Sequence, residues 1–162
     1  MDPKPIKIGL IAELTGPLSF MGVANANLTT MLVDDINAKG GLLGRPVELV
    51  IEDGETTDSV AKAKAAKLVD VDKVDVVVGG IYSSTRLAIK SEAVTRGRTL
   101  YIYTEQYEGQ ENDPLIFCTG PVPAQQVEPL IPWLMNSTGA KRFYLPSADY
   151  IWPHLRNKGA GR

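Results

Sequence analysis

The chain has 162 residues, of which 44% are hydrophobic and 22% are charged, so its composition is that of a folded globular domain rather than a disordered chain. Its 17 Lys and Arg residues and 19 Asp and Glu residues give a net charge of −2, which argues against a protein that binds the phosphate backbone of nucleic acids. The single histidine, His154, and the single cysteine, Cys118, cannot by themselves build a structural zinc site or an internal disulfide.

The first half of the chain alternates short apolar runs with segments of helical periodicity. The apolar runs at residues 6–12, 47–51 and 74–78 predict three buried strands. A first helix is predicted by the helical spacing of Leu28, Met31, Leu32 and Ile36, and it ends before the paired glycines Gly40 and Gly41. A second helix is predicted by Ala61, Ala65, Leu68 and Val69, with Lys62, Lys64 and Lys67 on its other face.

The second half continues the alternation less regularly. Ser83 and Ser84 suit the N-cap of a third helix that runs to about residue 96, and residues 100–103 and 116–119 predict two further strands. Residues 121–135 are predicted to be helical, although Pro129 and Pro132 should kink or break that helix. Residues 143–145 predict a sixth strand.

Strands that alternate with amphipathic helices predict a three-layer α/β/α lobe with a mostly parallel, doubly wound sheet. Such sheets bind ligands at the carboxyl ends of their strands. This rule selects four segments as candidate site regions, namely residues 13–22, 52–58, 79–85 and 103–109.

The third of these segments is a glycine-rich turn between a predicted strand and a predicted helix, with the sequence GGIYSS at residues 79–84. Small residues would let a ligand approach backbone N–H groups, and a helix start favours an anion or a carbonyl oxygen. The alternative is an ordinary glycine turn followed by a serine cap, and the spacing does not decide between the two. The turn lacks the Gly-Lys-Ser/Thr of a phosphate-binding loop and the G-x-S-x-G of a hydrolase.

The fourth segment brings tyrosines and polar acceptors together. Its members and near neighbours are Tyr101, Tyr103, Glu105, Gln106 and Tyr107. Aromatic walls with a few polar groups are typical of small-molecule pockets. A buried Glu105 carboxylate would need donors, which a ligand –NH₂ or –NH₃⁺ group would supply, and it would repel a ligand carboxylate. The alternative is an exposed Glu105 on a surface loop, without a function.

Other residues have weaker functional interpretations. A magnesium site could be suggested by the acidic turn Glu52, Asp53, Glu55 and Asp58. The first strand adds only Glu13, so a solvated turn is the better interpretation. His154 has no obvious partner and is not expected to be catalytic. Phe20 and Met21 could form either a pocket lid or core packing.

Several short motifs follow one another along most of the chain. They are Leu14-Thr15-Gly16-Pro17 with Gly22, residues 35–46 (DINAKGGLLGRP) and residues 76–85 (VVVGGIYSST). In this order they resemble the first part of the type 1 periplasmic substrate-binding proteins, which serve ABC transporters for branched-chain amino acids, urea and amides. Four more motifs are similar to the branch that binds urea and short aliphatic amides, which includes an amide-sensing regulator of amidase expression: Tyr107-Glu108-Gly109, Gly120-Pro121, Gln125-Gln126 and Asp149-Tyr150-Ile151-Trp152-Pro153. The similarity covers residues 6–154.

The resemblance implies a set of ligand-binding residues and no catalytic or metal-binding residue. The set is Ser83, Ser84, Tyr103, Glu105, Gln106, Tyr150 and Phe20. Ser83 matches a serine that bonds the polar head of the ligand, and Tyr103 and Glu105 match contacts that recognise an amide or amino group. Tyr150 matches an aromatic residue that covers the ligand near the hinge, and Phe20 matches a pocket side chain.

The resemblance also implies a domain arrangement, in which two similar lobes hold the ligand between them. We expect residues 1–146 to form the N-terminal ligand-binding lobe. We expect residues 147–162 to approach the hinge and to end in a truncated tail, with the second lobe absent.

The implied function is that of the solute-binding component of an ABC importer, which binds a small amide, urea or amino acid in the cleft between its lobes. The alternative is an amide-sensing regulatory protein of the same fold that controls amidase expression. An enzyme is disfavoured, because the chain lacks a recognisable nucleophile–base pair, metal cluster or phosphate loop. The implied partners are a small polar ligand and ABC permease subunits, with no cofactor and no nucleic acid.

The implied location is periplasmic, or cytoplasmic if the protein is a sensor. Residues 1–7 carry no export signal, and no apolar run approaches the roughly 18 residues that span a bilayer. We expect a neutral amide or urea between Ser83 and Glu105, with its carbonyl oxygen on Ser83 and its –NH₂ group on Glu105. We also expect the isolated lobe to associate with itself, because cleft aromatics would lose their cover. These aromatics are Phe20, Tyr82, Tyr103, Tyr150 and Trp152.

Overall fold

The computed structural model describes residues 4–160, so the last two residues of the predicted tail lie outside the described part. The strands are β1 (Ile6–Ala12), β2 (Val47–Asp53), β3 (Val76–Gly79), β4 (Leu100–Tyr103) and β5 (Ile116–Cys118). The helices are α1 (Ser19–Ala38), α2 (Asp58–Lys67), α3 (Ser83–Lys90), α4 (Pro123–Thr138) and α5 (Ile151–Ala160). π-Helical turns extend α2 over Leu68–Asp72 and α3 over Ser91–Arg96.

The five strands form one parallel sheet in the order β2-β1-β3-β4-β5. The predicted α/β class and parallel sheet are therefore confirmed. The chain leaves β1 towards β2 and then returns past β1 to β3, so the direction of winding reverses between β1 and β3. In doubly wound sheets the crevice at the carboxyl ends of two such strands is where ligands bind.

The larger core lies on the face of the sheet that α2 and α3 cover. Every second residue of the central strands points to this face, including Ile11, Val77, Tyr101 and Tyr103, which are all at most 1% exposed. The helices meet them with the small and aliphatic residues Ala61, Ala65, Leu68, Ile89, Ala93 and Val94. The predicted inner face of α2 is thus confirmed at Ala61, Ala65 and Leu68.

Helix α1 covers the other face of the sheet, and it does so with small residues. Its buried residues are Gly22, Ala26 and Val33, whereas Leu28 and Met31 are 52% and 59% exposed. Gly22 lies against the backbone of Glu13, where a Cβ atom would overlap the main chain. The large apolar residues whose spacing predicted α1 therefore lie mainly on its exposed side. The side that packs on the sheet has small residues instead, because the helix approaches the sheet closely there.

One prediction for the last third of the chain is wrong, and a second is wrong in part. Residues 141–148 form no strand, and Tyr144 in the middle of the predicted sixth strand is 91% exposed, because this connection between α4 and α5 pairs with no edge of the sheet. Helix α4 continues through Pro129 and Pro132 without a break, and each proline leaves one backbone carbonyl of the helix without its usual N–H donor. Within residues 4–160, none of the helices has the length and apolarity that crossing a membrane requires.

Candidate functional site

A pocket of about 190 Å³ lies at the carboxyl ends of the strands. Its lining residues are Leu18, Met21, Ile81, Tyr82, Ser83, Glu105, Gln106, Tyr150 and Trp152. Three of the four predicted strand-end segments contribute to this lining, and the last two residues are Tyr150, just before α5, and Trp152 in its first turn. A larger cavity of about 380 Å³ lies beside α4 and α5, away from the winding reversal, and it contains none of the predicted ligand-binding residues.

Four of the seven predicted ligand-binding residues line this pocket, namely Ser83, Glu105, Gln106 and Tyr150. The other three lie elsewhere. Tyr103 is completely buried, and its hydroxyl donates to the carbonyl oxygen of Ile81 at 2.5 Å, so it supports the pocket wall from behind. Ser84 donates to Asp58 at 3.1 Å, and Phe20 is 73% exposed. The binding role of all seven stays a prediction.

The turn at the start of α3 has the backbone that its glycines predicted. Gly79 and Gly80 have φ values of +115° and +78°, a backbone region that residues other than glycine rarely adopt. Ser83 is the first helical residue rather than the N-cap, which is Tyr82. The turn therefore presents the start of α3 and the Ser83 side chain to the pocket.

Tyr82, Tyr150 and Trp152 cover the pocket on one side. The ring centroids of Tyr82 and Tyr150 are 5.0 Å apart, and Trp152 is 3% exposed. Tyr103 is also buried, so the expected exposure of the cleft aromatics is wrong for Tyr103 and Trp152 and is found in full only at Phe20. The reason is that α5 packs against α4 and α3, which shields Trp152 within this lobe.

Glu105 is half-buried at the rim of the pocket. Among residues 4–160, no side chain or backbone group donates a hydrogen bond to its carboxylate, and no basic side chain pairs with it. Glu105 is thus neither buried, as the binding role would require, nor fully exposed, and both interpretations of it stay open. Its oxygens are open acceptors at the pocket, and they favour a ligand that brings N–H donors.

Behind Ser83 lies a partly buried charged network, which reaches the larger cavity at Glu108. The Ser83 hydroxyl donates to Glu108 Oε1 at 2.5 Å, and Arg86 Nη2 donates to Glu108 Oε2 at 2.9 Å. The Arg86 guanidinium lies over the rings of Tyr103 and Tyr107, at 5.1 and 5.6 Å from their centroids. Burial opposes ionisation of Glu108, but the hydrogen bonds from Ser83 and Arg86 outweigh it and lower the pKa of this carboxyl.

This network was not predicted from the sequence. Glu108 belongs to one of the family-like motifs, and Arg86 is not among the candidate residues. The available signal was the position of Arg86 three residues after Ser83, which places both on the same side of a helix.

A second carboxyl, Glu13, is buried beneath the pocket at the end of β1. It is 1% exposed, and within the described residues its Oε2 atom has no hydrogen-bond partner. Burial, together with the negative charges of Asp53 and Glu105, raises the pKa of Glu13 to about 7, against the opposing hydrogen bonds of backbone amides that include Ile81. Glu13 therefore holds its proton under mildly acidic conditions.

Asp53, the acidic residue that ends β2, has a structural role. Asp53 accepts hydrogen bonds from the backbone amides of Leu14, Thr15 and Glu55 at 2.9, 3.2 and 2.8 Å, and from the Thr15 hydroxyl at 2.8 Å. It therefore fixes the β1–α1 loop, which delivers Leu18 and the start of α1 to the pocket. In the described range, no three His, Cys, Asp or Glu side chains group as a metal ion would require.

Comparison with known proteins agrees with this architecture. The chain matches the family described as periplasmic binding protein over residues 5–162. It is 38% identical over 94 residues to the Leu/Ile/Val-binding protein BraC3 of Rhizobium johnstonii, a match that covers 57% of this chain and 25% of that protein. It is 32% identical over 83 residues to the Leu/Ile/Val-binding protein homolog 7 of Brucella abortus, which covers 51% and 21%.

Solved structures give the same result. The branched-chain amino acid transporter substrate binding protein LivJ of Streptococcus pneumoniae, in complex with isoleucine, superposes with a TM-score of 0.76 and 27% identity, over 85% of this chain and 40% of that one. An amino acid ABC transporter substrate-binding protein of Pseudomonas fluorescens has a TM-score of 0.81 over 99% of this chain and 43% of that one, and at 20% identity it shows the fold alone.

The chain thus spans about a quarter of the length of the curated relatives it matches and about two fifths of the matched structures. The family match runs over nearly all of the chain, and the parallel sheet is that of the matched structures. The chain therefore belongs to the periplasmic binding protein family, whose fold is that of substrate-binding proteins rather than of enzymes.

Proposed function

We propose that this lobe forms one wall of the ligand cleft of a periplasmic solute-binding protein that serves an ABC importer, and that the ligand is a branched-chain amino acid. Family membership and the names of the relatives support the transport role. The same names favour transport over the amide-sensing regulator, which stays a prediction. Permease subunits would then be the macromolecular partners.

The observation that carries the ligand class is the set of open acceptors at the pocket. The Glu105 carboxylate has no partner among the described residues, and the Ser83 hydroxyl already donates its hydrogen bond to Glu108. An α-ammonium group supplies three N–H donors and a positive charge to such a site. The apolar lining by Leu18, Met21 and Trp152 suits an aliphatic side chain.

The charge distribution orients such a ligand. Its carboxylate must avoid Glu105, because like charges at short range cost several kcal/mol. The backbone N–H groups at the start of α3 lie on the Ser83 side of the same pocket and favour negative charge. The ammonium group therefore lies towards Glu105, and the carboxylate lies towards the α3 backbone.

A small amide or urea is the second candidate ligand, and the unpartnered Glu105 carboxylate favours it as well. An amide places –NH₂ on Glu105 and its carbonyl oxygen on the α3 backbone, without bringing a carboxylate into the pocket. The two candidates differ in charge and in apolar volume, so ligand titration separates them.

Calorimetry on the protein with leucine, isoleucine, acetamide and urea tests the proposal. We expect leucine and isoleucine to bind more tightly than acetamide and urea, and Glu105→Gln to weaken amino acid binding by roughly tenfold or more, because an ion pair becomes a neutral contact. Glu55→Gln, which replaces an exposed glutamate outside the pocket, is the matched control. Tighter binding of acetamide or urea would select the second candidate, and binding that is indifferent to Glu105→Gln would contradict both.

A further inference from the structure

Glu108 touches no part of the pocket that Ser83 lines, yet it determines what Ser83 can offer there. The two side chains meet at 2.5 Å, and Arg86 holds the other Glu108 oxygen at 2.9 Å. Ser83 is 2% and Arg86 is 6% exposed, whereas Glu108 is half-buried and also lines the larger cavity. The ion pair with Arg86 and the hydrogen bond from Ser83 hold both Glu108 oxygens, and such charge-assisted contacts favour one arrangement.

The direction of the Ser83 hydrogen bond follows from charge. An ionised carboxylate has acceptors only, so the proton between Ser83 and Glu108 belongs to the Ser83 hydroxyl. With Arg86 against it, Glu108 stays ionised at neutral pH. The Ser83 oxygen then has lone pairs, and no proton, to direct at a ligand.

We propose that Glu108, fixed by Arg86, orients the Ser83 hydroxyl as a hydrogen-bond acceptor, and that Glu108 thereby acts as a positioning residue that selects ligands with N–H donors. This inference rests on the proposed binding function of the pocket. The sequence-based expectation is that Ser83 donates to a ligand carbonyl oxygen. In this inference the backbone N–H groups of α3 donate to the ligand oxygen, and Ser83 and Glu105 both accept hydrogen bonds from ligand N–H groups.

Arg86 keeps Glu108 in place through more than the ion pair. Its guanidinium lies against the faces of Tyr103 and Tyr107, which restrict its position. Two of its buried nitrogens, Nε and Nη1, have no hydrogen-bond partner among residues 4–160. Among these residues, Glu108 is therefore the carboxylate that pairs with the Arg86 charge. Displacing Glu108 would leave a buried, unpaired cation, which opposes any rearrangement of the network.

The binding test uses ligand pairs that differ in one N–H donor group. The pairs are leucine with 4-methylpentanoate, which lacks the amino group, and acetamide with acetate. Calorimetry on the wild-type protein should show tighter binding of the N–H member of each pair. Glu108→Gln should reduce that preference by roughly tenfold, because the glutamine amide can donate to Ser83 and free its proton for a ligand oxygen. Ser83→Ala, which removes the acceptor, should reduce it similarly.

Glu111→Gln is the matched control, since Glu111 lies in the same loop and pairs with Lys90 rather than with Ser83. It should leave the preference unchanged. A purely structural role for Glu108 predicts that Glu108→Gln weakens both members of a pair equally, and that result would overturn the inference. If Glu108→Gln does not fold, the preference measured with Ser83→Ala decides.

A ligand-free measurement separates this inference from the proposed function. Carboxyl ¹³C NMR should show the titration midpoint of Glu108 moving upward in Ser83→Ala, because the donor that stabilises its charge is lost. Ser91→Ala removes a hydroxyl on the same helix that donates to the Ala88 carbonyl instead, and it should leave the midpoint unchanged. An unmoved midpoint in Ser83→Ala overturns the inference. If no probe binds the wild-type protein, the proposed function fails, and this titration alone decides whether Glu108 accepts the hydrogen bond of the Ser83 hydroxyl.

Discussion

Replacing the buried Glu13 by glutamine is expected to make the protein more stable above pH 7 and to leave its stability nearly unchanged near pH 4. The pKa of Glu13 rises from 4.5 to about 7 on folding, because the carboxyl is taken out of water and faces Asp53 and Glu105. Between these two pH values the unfolded chain has lost the proton and the folded chain retains it. The free energy of unfolding therefore falls as pH rises through this window.

The size of the effect follows from the same difference in pKa. At about 1.4 kcal/mol for each pKa unit, ionised Glu13 costs the folded state about 3 kcal/mol above pH 7. Glutamine never ionises, so Glu13→Gln removes this cost. It keeps the unpaired polar atom that Glu13 has at Oε2, and this part of its effect is the same at every pH.

Urea unfolding of the wild type and Glu13→Gln at several pH values between 4 and 8 measures the difference. The gap between the two free energies should widen by about 3 kcal/mol in favour of the variant as pH rises. Glu55→Gln, at an exposed position, should give a constant gap. Parallel curves for the wild type and Glu13→Gln would refute the reasoning, since they would mean that Glu13 has the same pKa in the folded and unfolded states.

Two further predictions concern the loop and helix that follow β1. Gly22→Ala should lower the free energy of unfolding by about 1–3 kcal/mol, because its Cβ would overlap the Glu13 backbone, and thermal unfolding against the roomier Gly54→Ala would measure it. Asp53→Ala should cost about 1–2 kcal/mol and increase hydrogen exchange at the amides of Leu14 and Thr15, which lose their acceptor. Equal stability of Gly22→Ala and Gly54→Ala would contradict the first prediction, and unchanged amide exchange in Asp53→Ala would contradict the second.

The strands were predictable where the apolar run is short and bounded. Residues 6–12 and 100–103 have the predicted bounds, and no residue of either run is exposed in the parallel sheet. The run at 143–145 is also apolar and is no strand, since pairing requires that a run reach an edge of the sheet, which composition does not describe. The inner side of α1 was equally hidden, because close packing selects Gly22 and Ala26 over larger residues.

The site was predictable in its location and less so in its chemistry. The strand-end rule indicated the segments that contain Ser83 and Glu105, and both line the pocket. The exposure of Trp152 could not be predicted, because it depends on how α5 packs. The direction of the Ser83 hydrogen bond also lay beyond the sequence, since it depends on Glu108, which is 25 residues away along the chain.

Two glutamates near the pocket, Glu108 and Glu13, are given different protonation states by their surroundings. Arg86 and Ser83 keep Glu108 ionised, whereas burial keeps Glu13 protonated up to about pH 7. If Glu13 were ionised, its negative charge would repel that of the Glu105 carboxylate, which is the open acceptor at the pocket. A neutral Glu13 therefore lets the negative charge of the pocket be concentrated at Glu105, where a ligand N–H donor can reach it. Above pH 7 the added charge of Glu13 would attract an ammonium group more strongly, at the same time as it weakens the fold, so ligand affinity and stability should change in opposite directions across this pH range.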